Sequence, residues 1–179
     1  IMTVEALTQL NNLLATAGFF AVGVTVLLAV DLYRSRGLTV YVQRWGLATA
    51  FIIGGVATIL TLVYSELFGI LPCGFCWLER MALYPQLLLI GGAVYFRDRV
   101  LMPRYGIILS TTGLLISVYH HYIQMGGSQF IACPSAGADC AKRFMFEYGF
   151  VTFPLLSAVL FAFLIILYLY IIKTSLKED

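Results

Sequence analysis

"LPCGFCWLERM", residues 71–81, sets two cysteines three positions apart and follows them with a glutamate and an arginine. What flanks this stretch decides the fold. Upstream, residues 46–67 carry a single charge, Glu66; downstream, residues 81–96 carry none and are bounded by Arg80 and Arg97. Crossing ~30 Å of hydrocarbon takes ~20 apolar helical residues. The flanking runs, 46–67 and 78–96, meet or approach that length, and so do 8–30, 105–124 and 149–172. The span at 78–96 is the shortest, and crosses only if Arg80 and Arg97 snorkel towards opposite interfaces. Pro85 and Pro154 are expected to loosen the first turns of the third and last spans, which a packed bundle tolerates.

The 179 residues are 61% hydrophobic and 11% charged, against about 25% charged in a soluble domain. The expected architecture is therefore all-α: a polytopic membrane helix bundle forming one domain over 1–179, with a four-helix core at 46–172 and an additional N-terminal span at 8–30. A net charge of +2 with no basic stripe gives nucleic acid nothing to bind. No glycine-rich phosphate loop marks a nucleotide site. The first span lacks a basic leader, Glu5 being its only early charge, and Asp31 and Arg34 follow where a small-residue cleavage site would stand. It reads as a retained span. Ile1 ahead of Met2 reads as a first residue that is not native.

Orientation follows from lysine and arginine alone. Arg34, Arg36 and Arg44 follow the first span, Arg97, Arg99 and Arg104 follow the third, and Lys173 and Lys177 end the chain. That puts eight of eleven basic residues on one side, the cytoplasmic one. Arg80, Lys142 and Arg143 fall on the other. The N-terminus then lies outside, the C-terminus inside, and the loops 69–77 and 125–148 outside. Those two loops hold every cysteine: Cys73 and Cys76 in one, Cys133 and Cys140 in the other. The outer side of a bacterial inner membrane permits disulfides, while the cytosol keeps thiols reduced. Two independent signals, basic residues and cysteines, thus agree.

Four cysteines allow three pairings; the local one, 73–76 with 133–140, needs no distant folding. A staple stabilises best when it closes a long loop, which neither local pair does, so C-x-x-C reads as redox chemistry. Exchange needs a thiolate. Cys76 is expected at the N-terminus of the third span, where the helix dipole favours an anion, and Arg80 stands one turn on, as a fixed cation on the same face. Glu79 is expected to point elsewhere, as an interfacial carboxylate. The second pair, "CPSAGADC" at 133–140, sits in a loop with Gly126, Gly127, Pro134 and Gly137, reachable by a soluble partner. A metal site is not expected: six residues separate the second pair, outside structural zinc spacing, and Trp77 after Cys76 removes the c-type haem signature. His120 and His121 end the fourth span on the outer side, as a quinone-head or proton-relay candidate or as part of an aromatic belt with Tyr119 and Tyr122. Adjacent helical positions point about 100° apart, so one site does not easily take both.

At this point the residues resemble a family. Cys73, Cys76, Glu79 and Arg80 in this order, the second pair Cys133 and Cys140 in the other outer loop, and the start of the last span, "YGFVTFPLLS", are similar to the DsbB family of disulfide bond formation proteins, over residues 46–172. The resemblance implies a quinone-dependent thiol oxidase. Its four-helix bundle would hold ubiquinone or menaquinone near the C-x-x-C, and its partner would be a DsbA-like thioredoxin-fold protein. It further implies that Cys133 meets the partner, Cys140 passes electrons to Cys73, and Cys76 reacts with the quinone beside Arg80. The stretch "AKRFMFEYG" would lie along the membrane surface on Phe144, Met145 and Phe146. The first span is an addition to the family's core. Vitamin K epoxide reductase-like enzymes use similar parts, but there the loop pair precedes the C-x-x-C; here Cys73 and Cys76 come first. A scaffold with two stapling disulfides is the non-enzymatic rival, separable by how readily the pairs are reduced.

Overall fold

The computed structural model describes residues 4–34, 38–98, 100–134 and 138–175. Arg36, Arg99 and Lys177 of the charge argument, and Gly137 of the second cysteine loop, lie outside the described residues. Among the described residues five α-helices follow one another: α1 Val4–Arg34, α2 Thr39–Leu62, α3 Gly74–Phe96, α4 Leu101–Gln124 and α5 Phe153–Ser175. A π-helical turn, Val63–Leu67, prolongs α2. The architecture is the expected all-α bundle.

Among the described residues, four stretches are long and apolar enough to cross a membrane: Glu5–Arg34, Val40–Leu67, Leu101–Gln124 and Phe153–Ser175. Here the structure departs from five equal spans. α3 has the length, 23 residues, but is not among them. Its sequence includes Glu79, Arg80 and Gln86, and two of these turn inward: Glu79 is 9% and Gln86 0% exposed. A helix whose polar groups face protein partners reads as less apolar than the surface it presents. Gln86 Oε1 accepts from Ser110 Oγ of α4 at 2.9 Å and from Tyr168 OH of α5 at 2.7 Å. Interhelical hydrogen bonds of this kind join helices where lipid offers no partner.

α5 is the hub, packed against α1, α2 and α4, while α3 fills the space between α2 and α4. Close approach of α4 to α5 depends on small residues. Gly106, Ser110, Gly113 and Ser117 form its buried stripe. A Cβ on Gly106 would come within 2.6 Å of the Tyr168 ring, and one on Gly113 within 2.6 Å of Phe161 Cε1. Such stripes let backbones approach where packing, not water exclusion, drives association.

α1 runs parallel to α5. Ala15 packs with Met145 and Val151 ahead of α5, and at the far end Tyr170 OH donates to Asp31 Oδ2 at 2.5 Å. Tyr64 OH donates to Asn11 Oδ1 at 2.6 Å, tying α1 to the end of α2. α5 begins at Phe153, so Pro154 occupies its first turn, where a missing N–H costs nothing. The stretch 141–152 is not a surface helix. Tyr148 and Gly149 turn the chain with φ of 53° and 78°, and Glu147 pairs with Val151. Met145 is buried at 1% exposure while Phe146 is exposed, so the expected apolar face of Phe144, Met145 and Phe146 is split.

Candidate active site

Both cysteine pairs converge at the end of the bundle formed by the start of α3 and the end of α4. Helix α3 starts at Gly74, four residues earlier than the expected span, because Cys73 caps it. Its Sγ accepts from the Cys76 N–H at 3.3 Å, doing with sulfur what a serine oxygen does at other helix starts. Cys76 stands in the first turn of α3, at the N-terminal end expected for it, and the cap itself is Cys73. Cys73 and Cys76 are free thiols with sulfurs 2.7 Å apart. Cys133 and Cys140 form a disulfide with Cα atoms 6.0 Å apart. Cys73, Cys140, Phe75 and Ile123 are buried in one apolar cluster, with Cys76, Cys133, Leu78, Ile116 and Tyr119 packed against it. Cys140 is fully buried and Cys133 half-buried.

The two loops touch. A Cβ added to Gly74 would lie 2.7 Å from Pro134 Cβ and 2.8 Å from Pro134 Cδ, and also meet the Pro134 carbonyl oxygen. A carbonyl cannot swing aside as a side chain does, so Gly74→Ala is expected to push the second loop off the first. A misplacement of about 1 Å costs on the order of 10²-fold in a reaction needing contact. The rate at which electrons pass between the two pairs, followed by quenched thiol labelling, should fall by about that factor with helix content unchanged. An unaltered rate would mean exchange does not use this approach.

His120, one turn before the end of α4, stands between the pairs with no exposed surface. Its Nδ1 lies 2.9 Å from Glu79 Oε1. Its Nε2 lies 3.5 Å from Cys73 Sγ and 3.2 Å from the Cys140 carbonyl oxygen. Gln124, one turn on, donates from Nε2 to the Lys142 carbonyl at 3.3 Å and to that of Cys140 at 3.5 Å, anchoring the loop. Glu79 therefore points into the site, against the expectation for it. The spacing that set Arg80 on the Cys76 face sets Glu79 there too, since i,i+3 and i,i+4 positions are both neighbours. The hydrogen bond from Cys76 holds the Cys73 thiol well below the ordinary thiol range; burial opposes this, while His120 and the Cys76 N–H reinforce it.

The other candidates are placed differently. Arg80 donates from Nη2 to the Thr61 carbonyl at 2.8 Å and to Ser65 Oγ at 3.3 Å, and its guanidinium lies 5.5 Å from the Trp77 ring centroid. It thus docks on the end of α2 beside the π-helical turn, a feature frequent at functional sites. His121 faces away from the cysteines; its Nδ1 pairs with Thr152 Oγ1 at 2.8 Å, ahead of α5. Cys76 is half-buried, and in the segments on either side of it in sequence the side chains of Leu67, Leu71, Trp77 and Met81 are exposed. A thiol, a fixed cation and an open apolar rim fit a lipid-soluble acceptor.

The family model for disulfide bond formation protein DsbB matches residues 43–171. The chain belongs to the DsbB family. Similar relatives include the probable disulfide formation protein C 2 of Bacillus anthracis, 34% identical over 133 residues, which are 74% of this chain and 94% of the relative. Another is the SPbeta prophage-derived disulfide bond formation protein B of Bacillus subtilis, 37% identical over 114 residues, 63% of this chain and 75% of the relative. A third is the probable disulfide formation protein of Chlamydia caviae, 32% identical over 122 residues, 68% and 87% of the two chains. No solved structure matches the chain. As a DsbB-family protein it is a multi-pass membrane oxidoreductase of disulfide bond formation, working with a thiol–disulfide partner. α1 ends at Arg34, ahead of the DsbB match.

Proposed function

We propose that this protein reoxidises the dithiol of a DsbA-like thioredoxin-fold partner and passes the electrons through its two cysteine pairs to a membrane quinone, ubiquinone or menaquinone. The observation that carries this reading is the convergence of all four cysteines in one cluster, Cys133 on its accessible side and Cys140 and Cys73 buried within. A partner thiolate attacks Cys133 Sγ, the Cys133–Cys140 bond breaks, and Cys140 leaves as thiolate. The partner's second thiol then displaces Cys133, so the partner leaves oxidised and this pair holds two electrons. Cys140 next attacks Cys73 of a closed 73–76 disulfide, and Cys76 leaves. Cys133 displaces Cys73 from Cys140, restoring the 133–140 bond. Cys73 and Cys76 are then both reduced, the state with free thiols at 73 and 76 and a disulfide at 133–140. A quinone, when bound, accepts two electrons and two protons as the 73–76 bond re-forms. Cys76 is the sulfur nearest the apolar rim, Arg80 supplies fixed positive charge there, and the His120–Glu79 pair can take a proton from Cys73.

The testing experiment mixes the purified protein, a reduced thioredoxin-fold dithiol and a quinone, and follows both partner thiols and quinone reduction. One quinone reduced per partner disulfide is expected; partner oxidation that proceeds equally without quinone would remove the assignment. Arg80→Ala should raise the quinone concentration needed for half-maximal rate by about tenfold, the factor set by a charge contribution near 1.4 kcal/mol. Exchange with the partner should persist, and an unchanged quinone dependence would leave Arg80 a mere anchor.

The cysteine end is proposed to face outward in a bacterial inner membrane. Arg34, Arg44, Arg97, Arg104 and Lys173 gather at the ends of helices opposite it, as the positive-inside rule requires. A membrane-impermeant thiol reagent should label both Cys76, the half-buried sulfur of its pair, and Cys133 in intact, mildly reduced cells. Labelling of one only after membrane disruption would refute the shared face.

A further inference from the structure

Cys73 Sγ, Cys76 Sγ and a ring nitrogen of His120 all lie within 4.8 Å of one another. The sequence offered the first two at metal spacing, but the third arrives from α4, 47 residues from Cys73. We propose that the reduced Cys73–Cys76 pair and His120 form a redox-gated site for a thiophilic divalent cation of the zinc type. The site is complete when both thiols are free and dismantled when they join.

Geometry supports this first. With Zn–S near 2.3 Å and Zn–N near 2.0–2.1 Å, tetrahedral ligand atoms stand about 3.5–3.8 Å apart. Nε2 and Cys73 Sγ already stand at 3.5 Å. The sulfurs, at 2.7 Å, must part by about 1 Å. The surroundings of His120 support it independently. Glu79 Oε1 at Nδ1 reproduces the carboxylate–histidine–metal arrangement, which fixes the Nδ1–H tautomer and aims the Nε2 lone pair at the metal. In that tautomer the Nε2 lone pair faces Cys73 Sγ, the Cys140 carbonyl oxygen at 3.2 Å and the Gln124 amide at 3.3 Å, and is open to a cation once the thiols lose their protons. The carbonyl or a water completes four ligands, and two thiolates neutralise the dication inside an apolar cluster.

On binding, two sulfur–metal bonds form, any proton on either sulfur goes to solvent, and no electron moves. Oxidising Cys73 and Cys76 to a disulfide removes both thiolates and releases the cation. An occupied site therefore holds the pair reduced. On the oxidase reading this halts turnover, but binding itself needs neither quinone nor partner.

The test uses the full chain with Cys133→Ser and Cys140→Ser, reduced and freed of reductant without oxygen, and titrated with Co²⁺. One equivalent should give sulfur-to-cobalt charge-transfer and tetrahedral d–d bands, lost on oxidation of the remaining pair and absent in Cys76→Ser. Glu79→Gln should weaken binding 10- to 100-fold, the usual range for a partner behind a ligating histidine (about 10–100-fold). Absence of the bands, or their survival in Cys76→Ser, would overturn the site. A second readout uses the unsubstituted protein with its 133–140 bond intact: Zn²⁺ should slow alkylation of both Cys73 and Cys76, and unchanged alkylation would likewise overturn it. A protein that binds cobalt but, when metal-free, fails to reduce quinone would refute the oxidase reading alone.

Discussion

Cys133→Ser is expected to abolish oxidation of a partner dithiol, a loss on the order of 10³-fold or more, as for removal of other covalent nucleophiles. The two sulfurs of this disulfide are not equivalent. Cys140 is fully buried, its carbonyl held between His120 and Gln124, whereas Cys133 lies in the exposed stretch of the loop. A folded partner bearing its own thiolate must approach sulfur nearly in line, so Cys133 is the atom it reaches. Serine at 133 leaves no bond there to attack and no exchangeable sulfur. It also frees Cys140 inside the cluster, beside Cys73. In the oxidised protein that thiol is expected to attack the 73–76 disulfide and stop as a Cys73–Cys140 bond, with nothing to resolve it. Non-reducing peptide mapping should find this cross-link, and the thiol assay should find no partner oxidation. A Cys133→Ser protein that oxidises the partner at full rate would mean the partner reaches Cys73 or Cys76 directly, and the relay would have no role for the second pair.

Which parts of this arrangement the sequence shows depends on how local their signals are. Apolar runs of membrane length and the C-x-x-C spacing are local, and both were legible. The start of α3 was not, because its cap is a sulfur, outside the serine, threonine, aspartate and asparagine set that marks helix starts. Nor was the turn before α5, where Tyr148 takes a left-handed conformation rarely adopted by a non-glycine residue. For His120 and His121 the helix period says that they diverge, and it cannot say which one meets the cysteines until the face of α4 that packs is known. The buried stripe Gly106, Ser110, Gly113, Ser117 supplied that signal and, continued by three residues, ends on His120. Glu79 was open to the same rule applied to Arg80. It read as an interfacial charge because its partner lies 41 residues away on another helix.

That distant pairing leads to the second large effect. His120→Ala is expected to destabilise the reduced protein by about 1–3 kcal/mol or more, the usual cost of leaving a buried charged acceptor without its hydrogen-bond partner. Glu79 is 9% exposed and lies on the buried face of α3, so little water reaches the carboxylate. The alanine also removes the imidazole beside Gln124 and the Cys140 carbonyl, which keep their bond to one another, so the main loss is the carboxylate's partner. Glu79→Gln alone should cost less, because the amide keeps a hydrogen bond to Nδ1 while giving up the charge. In the double variant the uncompensated carboxylate is gone, and part of the loss should return. Unfolding each of the four proteins in a detergent titration gives the coupling energy directly. Contacting, charged pairs couple by about 0.5–3 kcal/mol. Strict additivity would show that Glu79 and His120 stand side by side without holding one another, and His120 would then lack the fixed orientation on which both its proton-accepting role and its metal-binding role depend.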